Sequence, residues 1–254
     1  MTVEVSNSNS TRRCPRWIIT TVQLYAILTV VLIAACDAPL PETRQASAIA
    51  AQTTARQVIN DTLTNPAKTT LHLDGLQVTD QELLLLANSN HITSILIDSS
   101  NMSEKGLIPL ASMENLIQLR IRSRLTDAAI PFIINMRSLQ FLNLPQADFT
   151  DDGILALSAH PNIELLRIGG KRLSNKSLES IATMSSLSFL HLIAVPIDDQ
   201  GLPALYGMQH LQSLYLDDTV VTDEGLVKLL EQLPRLHLHI NQNHIDRDPN
   251  KHEH

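Results

Sequence analysis

Pairs of aliphatic residues two positions apart recur through most of this chain: Leu71 and Leu73, Ile95 and Ile97, Leu119 and Ile121, Leu142 and Leu144, Leu166 and Ile168, Leu190 and Leu192, Leu214 and Leu216, Leu238 and Ile240. The interval between pairs is about 24 residues, within the range of solenoid periods. Residues two apart on a strand share a face, so each pair predicts a short strand pointing into one core. Seven residues after the first member of most pairs stands another apolar group: Val78, Met102, Phe149, Leu173, Ile197, Val221 and Ile245. The third unit is one residue shorter and places Leu125 there. A spacing of three follows in every unit, as in Leu83 with Leu86, Ile154 with Leu157 and Leu226 with Leu229, which puts both members on one helical face. Just before these helices stand Asp80, Glu104, Asp127, Asp151, Asn175, Asp199 and Asp223. Their side chains are expected to accept hydrogen bonds from the unpaired amides of the helix starts. Small residues recur two positions further on, at Gly106, Ala129, Gly153, Ser177, Gly201 and Gly225, implying a crowded first turn. A doubly wound sheet of ordinary strands and helices does not predict so fixed a period. One unit alone buries too little apolar surface to offset the entropy of ordering it, so the units must stack.

The segment before the repeats has a different character. Trp17 to Ala35 carries no charge, follows Arg12, Arg13 and Arg16, and is followed at once by Cys36 and Asp37. As a helix it would rise about 28 Å, close to the hydrocarbon thickness of a bilayer. The positive flank predicts that everything after it is exported. Its end, Ile33-Ala34-Ala35-Cys36, resembles the lipobox of bacterial lipoproteins. That resemblance implies a signal peptide at 1–35, lipid on Cys36, and a membrane anchor in the bacterial envelope facing the periplasm. Asp37 resembles the signal that retains such proteins in the inner membrane. An uncleaved membrane helix is the alternative. Residues 36–47, with Pro39 and Pro41, read as a tether. Residues 48–67, with spaced Ile49, Val58, Ile59 and Leu63, read as a helix covering the open end of the core, or else as a stalk. Residues 68–246 hold about eight repeats, by comparison with known solenoid periods, and 247–254 form a polar tail.

The unit Leu211-x-x-Leu214-x-Leu216, followed by Val221-Thr222-Asp223-Glu224-Gly225-Leu226-x-x-Leu229, resembles the leucine-rich repeat family in a variant with TD-x-GL before its helix. The resemblance implies an α/β solenoid with a parallel sheet on its concave face, helices on its convex face, and a protein or peptide partner on the concave face. The chain departs from the commonest form of the family at the position usually held by asparagine. Only Asn243 stands there; Leu76, Ser100, Ala147, Lys171, Val195 and Thr219 occupy it in the other full-length repeats.

The strand residue between each core pair must face away from the core. These residues are His72, Leu96, Arg120, Asn143, Arg167, His191, Tyr215 and His239. Flanking them in the middle of the array are Arg122, Phe141, Leu165, Phe189 and Ile193. Arginine beside aromatic surface is the composition of a protein-binding hot spot, so Arg120, Arg122, Phe141, Leu165, Arg167, Phe189, His191, Ile193 and Tyr215 are the candidate partner-binding residues. Pairing of the arginines within the chain, to Asp98 or Asp148, is the rival use. The net charge of −7 falls to −9 once the three signal arginines and Glu4 are removed, which gives no support to nucleic-acid binding through bulk charge. Cys14 and Cys36 are the only cysteines, so removal of the signal would leave neither a disulfide nor a thiolate metal site. No nucleophile motif, phosphate loop or HExxH stands in the sequence, and no enzyme, cofactor or metal site is expected. The alternative to a binding module is a structural envelope protein acting as spacer or assembly partner.

Overall fold

The computed structural model describes residues 53–241, and the backbone of 243–244. The apolar segment at 17–35, Cys36, the tether at 36–47, the start of the 48–67 segment, Ile245 and the tail at 247–254 lie outside the described residues. The strands follow one another across a single sheet in chain order: β1 (Thr70–His72), β2 (Ser94–Ile97), β3 (Gln118–Ile121), β4 (Phe141–Leu144), β5 (Leu165–Gly169), β6 (Phe189–Ile193), β7 (Ser213–Asp217), β8 (His237–Ile240) and β9 (Asn243–His244). The first eight are parallel, and β9 turns back antiparallel on β8. Register places Leu71, Ile95, Leu119, Leu142, Leu166, Leu190, Leu214 and Leu238 side by side. Their side chains and those of the second pair members are fully buried from Leu73 through Leu216. Ile240, at the last parallel strand, is only partly covered.

A helical segment returns the chain to the next strand in each unit. These are Asp80–Leu83 continuing into Leu84–Leu86, Glu104–Leu107 into Ile108–Ala111, Asp127–Ala129 into Ile130–Asn135, Asp151–Leu157, Asn175–Ile181, Leu202–Leu205 and Asp223–Gln232. Both apolar members of every helical pair are buried. Most of these segments are too short to be stable alone, so packing on the sheet sustains them.

The acidic residues at the helix starts act differently from the sequence expectation. The cap is the preceding residue: the side chains of Thr79, Ser103, Thr150, Ser174 and Thr222 accept from amides of their own first turns. With the cap filled, the acid at the first helical position reaches the cap residue of the next repeat, whose own amide the helix leaves unpaired. Asp80 accepts the Ser103 amide and hydroxyl at 2.8 and 2.6 Å, and Asp151 those of Ser174 at 2.8 and 2.6 Å. Glu104 holds Thr126, Asp127 holds Thr150 and Asp199 holds Thr222 in the same way. Asn175 accepts the Asp198 amide and donates to its carboxylate. In the first repeat Glu82 reaches back to Thr79, supplying from within the unit what a preceding repeat would supply. A hydrogen-bonded ladder therefore joins the repeats at their helix starts, while the usual asparagine position holds buried Ala147 and Val195.

The ladder also explains the small residues. A Cβ on Gly106, Gly153, Gly201 or Gly225 would stand 2.8, 2.1, 2.5 or 2.2 Å from the Oδ1 atom of Asp80, Asp127, Asn175 or Asp199. Ahead of the repeats, helix α1 (Ala55–Leu63) starts with a capping box between Thr54 and Gln57. Ala55 and Ile59 are buried in the cluster that includes Leu71, Leu83 and Leu86, so this helix covers the first repeat's end of the core.

Candidate functional site

The face of the sheet opposite the helices carries the residues between the core pairs. Alternation along β3 to β7 turns Arg120, Asn143, Arg167, His191 and Tyr215 out of the core, and register sets them side by side. All five are half-buried rather than exposed. Leu96 is nearly buried, at 8 % exposure, because the Arg120 guanidinium passes over β2 to reach the β1 side. His239 is buried beneath Tyr215, with the two rings stacked at 4.1 Å.

The structure divides the three arginines. Arg120 lies 2.8 Å from Asp98 and 3.5 Å from Asp74, and Arg122 lies 3.5 Å from the same Asp98 oxygen. Both are therefore neutralised within the chain, and Asp98 rather than Asp148 is their partner. Arg167 has no carboxylate within ion-pair distance among the described residues. Burial is the first cause lowering its pKa; the nearby charge of Arg122 adds to this, Asp217 opposes it, and Arg120 adds a smaller push. Among the described residues its Nε has no hydrogen-bond partner, and neither has Oδ1 of Asn143 on the adjacent strand. Buried polar groups are normally paired, and Arg120 Nε and Asp98 Oδ1 are likewise unmet by hydrogen bonds; Arg167 differs from Arg120 in having no carboxylate at ion-pair distance among the described residues.

Apolar side chains surround it. Phe141, Leu165 and Ile193 are half-buried and Phe189 is 37 % exposed, so together they form one partly accessible apolar group. On β6 and β7 the ring Nε2 of His191 lies 2.8 Å from the Asp217 carboxylate, and its ring centroid is 5.3 Å from that of Tyr215. Burial lowers the His191 pKa, and the Asp217 hydrogen bond works against that. A depression of about 290 Å³ opens beside Arg167, lined by Ile193, Asp217, Asp218 and Asn241. A larger one, about 530 Å³, lies at the edge where the chain enters the strands. There Asn115, Ser138 and Asn162 already donate to backbone carbonyls of the preceding repeat, which marks that edge as structural.

No family model matches the chain, and no curated protein matches it. Solved structures do. Internalin C2 of Listeria monocytogenes superposes with a TM-score of 0.51 at 17% identity, over 73% of this chain and 92% of that one. A second internalin of the same organism gives 0.50 at 16% identity, over 67% of this chain and 52% of its own, so the match spans about half of that protein. Internalins are leucine-rich repeat proteins. This chain folds as a leucine-rich repeat solenoid. Identity this low carries the fold and nothing about the partner.

Eight of the nine sequence-selected face residues lie on β3 to β7, and the ninth, Arg122, follows directly on β3. The solenoid also shows cations outside that selection. Arg124 and Arg172 both hold Asp148, at 2.8 and 3.4 Å, on the rim where the strands end. The alternation of Arg120, Arg122 and Arg124 runs past the end of β3 and was the signal available in the sequence. Among the described residues no group of three or more His, Cys, Asp or Glu side chains is placed to hold a metal ion.

Proposed function

We propose that this solenoid is a protein-binding or peptide-binding module whose partner lies on the open sheet face, centred on β4 to β6. The supporting observation is Arg167, which among the described residues has no ion pair and an unmet Nε, beside the unmet Asn143 oxygen and the apolar Phe141, Leu165, Phe189 and Ile193. A desolvated arginine next to accessible aromatic surface is an anchor of the kind that dominates interface energetics. Arg120 and Arg122 contribute by shape and by the field of their ion-paired cluster, since Asp98 already compensates them. The test is crosslinking in intact cells followed by partner capture. Arg167→Glu combined with Phe189→Ser, checked for native circular dichroism, is expected to lose the captured partner. Lys228→Glu on the helical side should keep it. Unchanged capture by the double variant would move the site off this face.

The same proposal places the module at the bacterial envelope, held by lipid on Cys36, and rests there on the arginine-flanked apolar run and the Ile33–Cys36 pattern. No helix among the described residues is long and apolar enough to cross a membrane. Labelling with a fatty-acid analogue should mark the native chain and spare Cys36→Ala. Equal labelling of both, or none in either at good expression, would remove the anchor.

A further inference from the structure

We propose that the rim where the third and fifth repeats flank the fourth takes an acidic segment of the partner protein. This rests on the protein-binding reading above and specifies the chemistry of the partner. The third repeat presents Arg120, Arg122 and Arg124, and the fifth presents Arg167, Lys171 and Arg172. Between them the strand and loop of the fourth repeat, Phe141 to Asp148, contain no lysine or arginine; their outward positions hold the shorter, uncharged Asn143, Pro145 and Gln146. The third and fifth strands lie about 10 Å apart, two strand spacings, so cations flank the fourth strand on both sides.

Three carboxylates, Asp74, Asp98 and Asp148, make ion pairs with four of these six cations. Arg167 and Lys171 have no ion pair among the described residues, and Arg124, Arg172 and Arg122 remain 78, 53 and 43 % exposed. Set against these three carboxylates and against Asp217 and Asp218 beside Arg167, the six cations leave an excess of one positive charge, on a chain whose net charge is −7. Arg122 and Arg167 repel each other across the fourth strand, and an anion lying between them relieves that repulsion. At the strand ends Asp148 bridges Arg124 and Arg172 across the fourth repeat and offsets one of their two charges, leaving their exposed sides to meet an added carboxylate.

The occupant follows from what lies around the fourth strand. A long, uniformly charged polymer such as a nucleic acid would extend past the patch onto acidic surface, where it is repelled. The apolar side chains of Phe141, Leu165 and Phe189 on the same face need an apolar partner. An extended peptide with carboxylates and an aliphatic side chain satisfies both, and charge complementarity of this kind selects partners more than it adds affinity.

The probe is a fluorescein-labelled hexapeptide of glutamate and leucine, titrated by anisotropy into the full-length chain at low and physiological salt. Saturable binding that weakens with salt is expected. Arg124→Gln/Arg172→Gln should weaken it about tenfold or more, in line with the loss of two paired charges. Arg124→Lys/Arg172→Lys should largely restore it, and Lys228→Gln should not change it. Absence of binding, binding unaffected by the rim variant, or equal affinity for a single-stranded oligonucleotide would each overturn the assignment. If the hexapeptide fails while cellular capture still depends on Arg167 and Phe189, the rim assignment falls and the binding face stands. If the hexapeptide binds at the rim while capture ignores those two residues, the face reading falls instead.

Discussion

At Gly153 a hydrogen atom in place of a side chain leaves room for the Asp127 carboxylate, which accepts both the amide and the hydroxyl of Thr150. Gly153→Ala must displace that carboxylate and is expected to cost about 1–3 kcal/mol in urea unfolding, the penalty for leaving such groups unpaired. Gly207, with nothing within 4 Å of an added Cβ, is the control: Gly207→Ala should change stability by no more than about 1 kcal/mol. Equal losses at the two glycines would remove the ladder as a source of stability. The next contrast concerns adjacent residues on β5. Leu166 is fully buried, so Leu166→Ala should cost about 2–5 kcal/mol. Arg167→Ala should cost less than about 1 kcal/mol, because Arg167 faces the open side and has no ion pair among the described residues. Comparable large losses would reverse the facing of the strand.

The strands were legible in the sequence because a period of two within a longer period leaves one facing for Leu166 and its counterparts. The helix starts were legible only in part. Asp151 and Thr150 can both accept amide hydrogen bonds, and assigning them requires knowing that Ser174 of the next repeat lies within reach. The same holds on the face: Asp98 and Asp148 are equivalent in sequence terms, and lateral placement gives Asp98 to Arg120 and Asp148 to Arg124. The ladder carries a pH dependence whose sign is fixed by its hydrogen bonds. Thr79, Thr126 and Thr222 hold Glu82, Glu104 and Asp199 below the usual carboxylate range. A group whose pKa is lower folded than unfolded contributes stability that is present above the unfolded pKa and lost as pH falls. His160 belongs to the same class: burial lowers its pKa, its Nε2 pairs with the Met136 carbonyl, and Nδ1 accepts the Asn162 amide. The urea midpoint should therefore fall in two stages on acidification. The first begins below pH 6.5, where His160 and His191 would otherwise charge in the unfolded chain, and the second below about pH 4 from the carboxylates. His160→Gln should shrink the first stage and leave the second. A midpoint that rises between pH 7 and 5 would contradict these assignments.

Across the whole array, the helical side and the entry edge spend their polar groups on joining neighbouring repeats, as the acid ladder and the Asn115, Ser138 and Asn162 hydrogen bonds show. On the open face, among the described residues, Arg167 makes no ion pair and the Asn143 oxygen is unmet, next to the accessible Phe189. Its composition was legible because the position between each core pair can be read down the stack, whereas the buried state of Leu96 and His239 depends on neighbours that arch or stack over them. The most direct measurement of whether this face is the binding surface is site-specific photo-crosslinking in intact cells. A photoreactive residue placed at His191, at the centre of the face, is compared with one at the exposed Glu179 on the helical side. The expected result is a discrete crosslinked partner from position 191 and none from 179. A partner trapped only from position 179, or trapped equally from both, would contradict the assignment of the open sheet as the binding face.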